Sequence, residues 1–194
     1  MNAREHKLRF FVLLLLGLGA HAQDPPARKI DPSSTLTVYA YKAGLFSFAA
    51  HDHVIAAPIA SGEVVLSDTA PRVRLVVNAV GMKVLDPQLD ADKRADVQKT
   101  MHSSKVLDTA RFPQIAFTST QIRRISAGHW QVTGDLELHG STRPITFEVV
   151  ERDGAYAGEA RLKQSTHGIT PISLAGGAIK VKDEVKIEFA VRLQ

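Results

Sequence analysis

The 194-residue chain contains no cysteine. It therefore has no disulfide, no zinc site built on cysteine pairs, no catalytic thiol and no cysteine to which a lipid anchor is attached. Stability must come from a buried core, and the composition permits one, because 44% of the residues are hydrophobic and 23% are charged. A chain of this length predicts a single domain.

The sequence also lacks the local motifs of common enzymes. It has no Gly-X-Ser-X-Gly elbow, no phosphate-binding glycine loop and no His-Glu-X-X-His segment. A Ser-His-Asp arrangement assembled from distant residues stays open, although nothing local indicates an activated serine. We therefore expect a protein that is not an enzyme and that carries no cofactor.

Excess charge is small, with a formal net charge of +4. A nucleic-acid binder needs a concentrated basic face with interleaved aromatic residues, whereas basic and acidic residues here alternate along the chain. We expect no nucleic-acid partner.

The N-terminal segment differs from the rest of the sequence. Basic residues precede the apolar run 10–16, and small residues follow as far as Ala22, which is the order found in a signal peptide cleaved before Gln23. The run is shorter than the roughly 20 residues that cross a bilayer, so we expect a periplasmic or secreted protein with no stable membrane anchor after processing. The predicted parts are a signal peptide (1–22), a mobile leader (23–29) and a β-barrel domain (30–194).

From Ile30 onward, apolar residues recur at every second position, which is the period of a half-buried β-strand. Turn dipeptides such as Ser61-Gly62 and Asp153-Gly154 separate the runs. Segment 90–101 breaks the period, because it is charged and rich in helix formers, with Asp90 available as an N-cap. The pattern predicts an all-β, antiparallel barrel or sandwich of about eight strands, crossed by one short helix.

Three stretches, taken in order, carry a family pattern. Ile30 to Ser34 leads into a strand that ends near His51-Asp52-His53, FPQIAFTST occupies 112–120, and VTGDLELHGSTRPITF occupies 132–147, before a late THGI. In this order they resemble the YceI-like family of polyisoprenoid-binding periplasmic proteins, over about residues 30–194. The resemblance implies a lipocalin-like barrel with a long apolar interior, often dimeric, that holds isoprenoid or other lipid chains. We therefore expect an isoprenoid or other long-chain lipid as partner, and a homodimer stays open.

A barrel of about eight strands is just wide enough to fill with its own side chains or to enclose one slender ligand. The pattern alone favours filling, because large inward residues alternate with small ones. The resemblance favours a lipid tunnel. We predict that the ligand lies against inward apolar residues and two histidines at the mouth of the barrel. These residues are Val38, Phe46, Phe48, His51, His53, Leu66, Leu75, Phe117, Leu136, Phe147 and Phe189.

The histidine pair allows other interpretations. His51 and His53 point to the same side of a strand and would meet a ligand head group. With a third ligand such as His139 or His167 they would bind zinc or copper, but His-X-His at a strand end is more often a hydrogen-bonded rim, so no metal is expected. Acid–base chemistry by His51 with Asp52 is disfavoured, because neighbouring side chains leave a strand in opposite directions. A further alternative is a periplasmic stress or assembly factor that acts through protein contacts and has a filled barrel.

Overall fold

A computed structural model describes residues 25–43 and 52–194, which form a twelve-stranded antiparallel sheet and one α-helix. The predicted signal peptide lies outside the described residues, as do Phe46, Phe48 and His51. The elements are β1 (Arg28–Lys29), β2 (Thr35–Ala43), β3 (His53–Ala56), β4 (Ile59–Val65), β5 (Arg72–Asn78), β6 (Lys83–Val84), α1 (Ala91–His102), β7 (Gln114–Ser126), β8 (His129–Leu138), β9 (Ser141–Arg152), β10 (Ala155–Lys163), β11 (Ser173–Leu174) and β12 (Ile179–Val191), with short 3-10 helices at Gln164–His167 and Ala175–Gly177.

The order of strand pairing closes the sheet on itself. Strands β5, β7, β8, β9, β10, β12 and β2 pair in that order, each antiparallel to the next. One bent stretch completes the ring, because β3 pairs with β2 while β4 pairs with β5. Backbone bonding continues through the bend: the N–H of Ala57 donates to the carbonyl of Leu36, and the N–H of Asn78 donates to that of Pro58. With β3 and β4 counted as one, eight strands form the barrel, and β1, β6 and β11 are short additions.

Alternation along each strand decides which side chains face the interior. On β5, Val73, Leu75 and Val77 face inward, whereas the side chains of Arg72 and Arg74 are exposed. The same period of two recurs around the ring, because one face of every barrel strand meets the interior and the other meets water. The structure confirms the predicted fold class.

Helix α1 covers one end of the barrel. Its buried residue Met101 packs in one apolar cluster with Val77 of β5 and Leu138 of β8. The helix begins as predicted, because the side chain of Asp90 accepts a hydrogen bond from the backbone N–H of Lys93 at 2.8 Å.

Replacement of this cap should have a measurable cost. We expect Asp90→Ala to lower the melting temperature by about 3 °C, because the first helical turn loses its acceptor. The hydrogen bonds from Lys93 hold the pKa of Asp90 below its ordinary value. The cap therefore stabilises the fold above the ordinary pKa of an aspartate, and this stabilisation is lost as the pH falls through the lowered pKa. Thermal unfolding at a series of pH values tests this, with Asp92→Ala in the same turn as the control. Equal melting temperatures of wild type and Asp90→Ala at neutral pH would contradict the prediction.

Two expected boundaries differ from the structure. Ser61-Gly62, predicted as a turn, lies inside β4, where the side chain of Ile30 packs so closely over Gly62 that a β-carbon would collide with it. Among the described residues, strand pairing begins at Arg28, two residues before the predicted start of the domain, because β1 pairs with Glu63 and Val64 of β4.

Candidate functional site

The barrel encloses a cavity of about 960 Å³. This volume lies at the upper end of the range of about 300–1,000 Å³ that is usual for small-molecule sites. All eight barrel strands and α1 contribute to its walls, which are predominantly apolar. The polar residues on the walls are His53, Ser67, Asp68, Thr69, Asp96, Thr100, Arg124, Tyr156, Gln164 and Lys180.

Several apolar side chains on the cavity wall are only partly buried. Val38, Leu136 and Phe189 face the interior, yet each keeps part of its surface accessible. In a filled barrel these positions would be packed at the density of a protein core. The side chains of residues 25–43 and 52–194 therefore leave the interior open, which argues against the filled-barrel alternative.

Exposed apolar residues mark where the cavity meets the surface. Leu66 after β4 is 43% exposed and Leu174 of β11 is 58% exposed, and both line the cavity. Near the loops that follow β7 and β9, Trp130 packs against Tyr156 with ring centroids 5.8 Å apart. Burial at this wall, together with the nearby charge of Glu151, raises the pKa of the Tyr156 phenol.

Three phenylalanines form a row across one wall of the cavity. The ring of Phe147 lies 5.4 Å from that of Phe117 and 5.4 Å from that of Phe189, centroid to centroid. Two glycines make room for this row, because a β-carbon at Gly134 would collide with the ring of Phe117 and one at Gly158 with the ring of Phe189. The alternation of large and small residues therefore reflects packing within the wall as well as open space in front of it.

The structure brings the described members of the predicted site onto one surface. Val38, His53, Leu66, Leu75, Phe117, Leu136, Phe147 and Phe189 all line the cavity. Their contact with a ligand stays a prediction, as does that of Phe46, Phe48 and His51, which lie outside the described residues.

Sequence reasoning missed several wall residues. Arg124 reaches the cavity because a bulge in β7, between Ser119 and Gln121, moves the inward set from odd to even positions. Tyr156 is the second residue of β10, a strand whose apolar alternation is interrupted by Gly158 and is therefore weak in the sequence.

A histidine on the cavity wall is bonded to a buried aspartate. The Nδ1 atom of His53 lies 2.6 Å from Oδ2 of Asp86, a residue with 0% of its surface exposed. The other carboxylate oxygen of Asp86 accepts a hydrogen bond from the N–H of Val54 at 2.7 Å. Asp52, the acid weighed as a partner for His51, instead accepts a hydrogen bond from the N–H of Lys42 at 2.9 Å. Nothing in the sequence around Asp86 indicated its burial.

Within the part of the chain that the structure describes, no group of three or more His, Cys, Asp or Glu side chains is placed to hold a metal. His139 and His167, the two candidates for a third metal ligand, each have a ring nitrogen close to a backbone carbonyl oxygen. Nδ1 of His139 lies 3.3 Å from the carbonyl oxygen of His167, and Nδ1 of His167 lies 3.2 Å from that of Ser141. The described residues therefore offer no support for the metal alternative.

Comparisons with known proteins agree with this architecture. Protein YceI of Escherichia coli O157:H7 is 41% identical over 54 residues, which is 28% of each chain. Protein YceI of Shigella flexneri is 39% identical over 54 residues, again 28% of each chain. The matched region thus spans only 28% of the length of these curated relatives.

Solved structures show the same fold at low sequence identity. BcnA of Burkholderia cenocepacia superposes with a TM-score of 0.66 at 16% identity, over 84% of this chain and 98% of that one. A mutant YCEI protein of Campylobacter jejuni with a monobromobimane guest superposes with a TM-score of 0.51 at 12% identity, over 72% of this chain and 81% of that one. At these identities the likeness is one of fold alone.

Neither α1 nor any other helix among the described residues has the length and apolarity needed to cross a bilayer. The profile of the YceI-like domain matches residues 29–193, which is nearly the whole barrel from β1 to the end of β12. The cavity of this barrel is consistent with the binding of a hydrophobic ligand. The chain belongs to the YceI-like domain family.

Proposed function

We propose that this protein is exported and holds the apolar chain of an isoprenoid or another long-chain lipid inside its barrel, without converting it chemically. The observation that carries the proposal is the open apolar cavity of about 960 Å³ with partly exposed apolar side chains on its wall. Transfer of each methylene group from water to such a wall is worth about 0.8 kcal/mol. A slender chain that runs along the barrel therefore gains affinity with its length until the cavity is full.

The walls favour a ligand that is apolar over most of its length. Phe117, Phe147 and Phe189 supply a continuous aromatic surface, while Val38 and Leu75 face the same space from other strands. Polar side chains are few, so most of a bound molecule would meet carbon. The resemblance to polyisoprenoid-binding proteins supports an isoprenoid among the long-chain lipids.

Native mass spectrometry of the purified protein tests the proposal. We expect a lipid to be carried through purification, and we expect the delipidated protein to take up a long-chain isoprenoid or fatty acyl compound. Uptake should show a negative heat-capacity change in calorimetry, because apolar surface is buried. The ligand should be recovered chemically unchanged. The absence of both co-purified lipid and later uptake would overturn the proposal, and recovery of an altered ligand would overturn the carrier role.

Export has a separate test. The order of basic, apolar and small residues before Gln23 supports cleavage at that position. We expect protein recovered from the periplasm or the medium to begin at Gln23 when its N-terminus is sequenced. Recovery of the uncleaved chain from the cytosol alone would contradict export.

A further inference from the structure

We propose that His53, oriented by Asp86, is a polar anchor on the cavity wall that binds the hydroxyl group of a long-chain alcohol. The ligand class would then be a neutral amphiphile whose polar end donates a hydrogen bond. This inference rests on the proposed function, because it assigns one end of the molecule whose chain the barrel would hold.

The buried carboxylate fixes the orientation of the histidine. Asp86 is fully buried, its Oδ1 accepts from the N–H of Val54 at 2.7 Å, and its Oδ2 lies 2.6 Å from Nδ1 of His53. Arg94 donates to the backbone carbonyl of Asp86 at 3.3 Å and so helps to hold the segment that carries Asp86. This contact does not involve the carboxylate oxygens, which bond to Val54 and His53. Because a carboxylate only accepts hydrogen bonds, the shared proton belongs to Nδ1.

The other ring nitrogen is accessible. His53 lies on the same face of β3 as Ile55, and both line the cavity. No described residue forms a hydrogen bond with Nε2 of His53. Every buried side-chain nitrogen or oxygen among the described residues has a hydrogen-bond partner, so Nε2 is not buried and must be accessible. The side chain is 20% exposed, and its cross-strand neighbour is the small residue Ala40, which leaves space in front of the ring.

The state of this nitrogen selects the chemistry of the ligand. In a neutral ring whose proton lies on Nδ1, Nε2 carries a lone pair, and a lone pair binds a donor. A carboxylate has no proton to give and would also stand close to the buried carboxyl group of Asp86, in surroundings where charge repulsion is weakly screened. A hydroxyl group satisfies Nε2, costs less to remove from water than an anion does, and forms a stronger hydrogen bond in an apolar cavity than in water.

Three probes with the same chain test the anchor on the delipidated wild-type protein. Hexadecan-1-ol should bind about tenfold more tightly than its methyl ether, which accepts but does not donate. Hexadecanoate should bind no more tightly than the ether. In protein labelled with ¹⁵N-histidine, the Nε2 resonance of His53 should move on addition of the alcohol and stay in place with the ether.

Variants locate the effect. In His53→Phe the preference for the alcohol over the ether should fall to about one, while the ether keeps its affinity, because a phenyl ring preserves the apolar contact. His129→Phe is the matched control, since His129 lies outside the cavity lining, bonded to Glu148 at 2.9 Å, and should leave the tenfold preference intact. His53→Phe also removes the partner of a buried carboxylate, so the resonance measurement on the wild type decides the question if that variant does not fold.

Each outcome separates the anchor from the carrier role. Equal affinities for alcohol and ether, or an unmoved Nε2 resonance, would overturn the anchor and leave the proposed function standing. Tightest binding of hexadecanoate would overturn the assignment of a neutral, donating end. Failure of all three probes to bind would overturn the anchor together with the proposed function.

Discussion

Replacement of both Val38 and Leu136 by tryptophan should lower the affinity for a long-chain lipid at least about a hundredfold. The two residues lie on β2 and β8, which stand four strands apart in either direction around the eight-strand ring, and both side chains face the cavity. Two indole rings from opposite walls would occupy the space of several methylene groups of the ligand, each worth about 0.8 kcal/mol. Calorimetric titration of the delipidated double variant gives the affinity directly.

The matched control places the same bulk on the outside of the barrel. Thr37 precedes Val38 on β2, and Glu137 follows Leu136 on β8. Neither Thr37 nor Glu137 lines the cavity. Thr37→Trp combined with Glu137→Trp should change the affinity less than about threefold, which is well under 1 kcal/mol. Urea unfolding should show that the blocked variant is folded. Wild-type affinity in a folded, blocked variant would mean that the lipid does not lie inside the barrel.

Asp86→Ala should lower the free energy of unfolding by about 3 kcal/mol, the largest effect on stability that we expect from a single polar residue here. The substitution leaves Nδ1 of His53 and the N–H of Val54 without the acceptor that a fully buried residue supplies. Urea denaturation at constant pH measures the difference through the midpoint and the slope of the transition.

Two comparisons identify the cause of this loss. Asp86→Asn keeps an oxygen acceptor and a similar shape, so it should lose less stability than the alanine variant. Asp135→Ala removes an exposed carboxylate from β8 and should stay within about 0.5 kcal/mol of wild type. If Asp86→Ala were no less stable than Asp135→Ala, the buried pair would contribute nothing to the fold.

The barrel could be predicted from the sequence because every long strand meets the same interior. On β12, Val185, Ile187 and Phe189 follow one another at every second position, and each faces the cavity. The helix was predictable for a similar reason, since a charged segment with a capping aspartate has no such alternation. Many of the wall residues follow from the strand pattern without knowledge of how the strands are ordered.

Features that arise only between strands could not be predicted. Asp86 is separated from His53 by 33 residues in the chain. The two meet because β3 pairs with β6, the strand that ends at Val84 just before Asp86. Pro144 lies inside β9, where a proline would ordinarily argue against a strand. It is tolerated because β9 pairs with β10 only from Glu148 onward. At Pro144 the edge of β9 that faces β10 is therefore unpaired, and no backbone N–H is needed there.

Closure of the ring between β2 and β12 has a consequence for how the chain folds. Tyr39 of β2 bonds to Glu188 of β12 across 149 residues, whereas β7, β8, β9 and β10 pair with their immediate neighbours in the chain. Local hairpins form early and such distant pairs form late. Until β12 has been made, β2 and β10 each carry an unpaired edge, which is the feature that recruits other chains into aggregates. Loss of β12 would therefore yield an open, self-associating sheet in place of a smaller barrel.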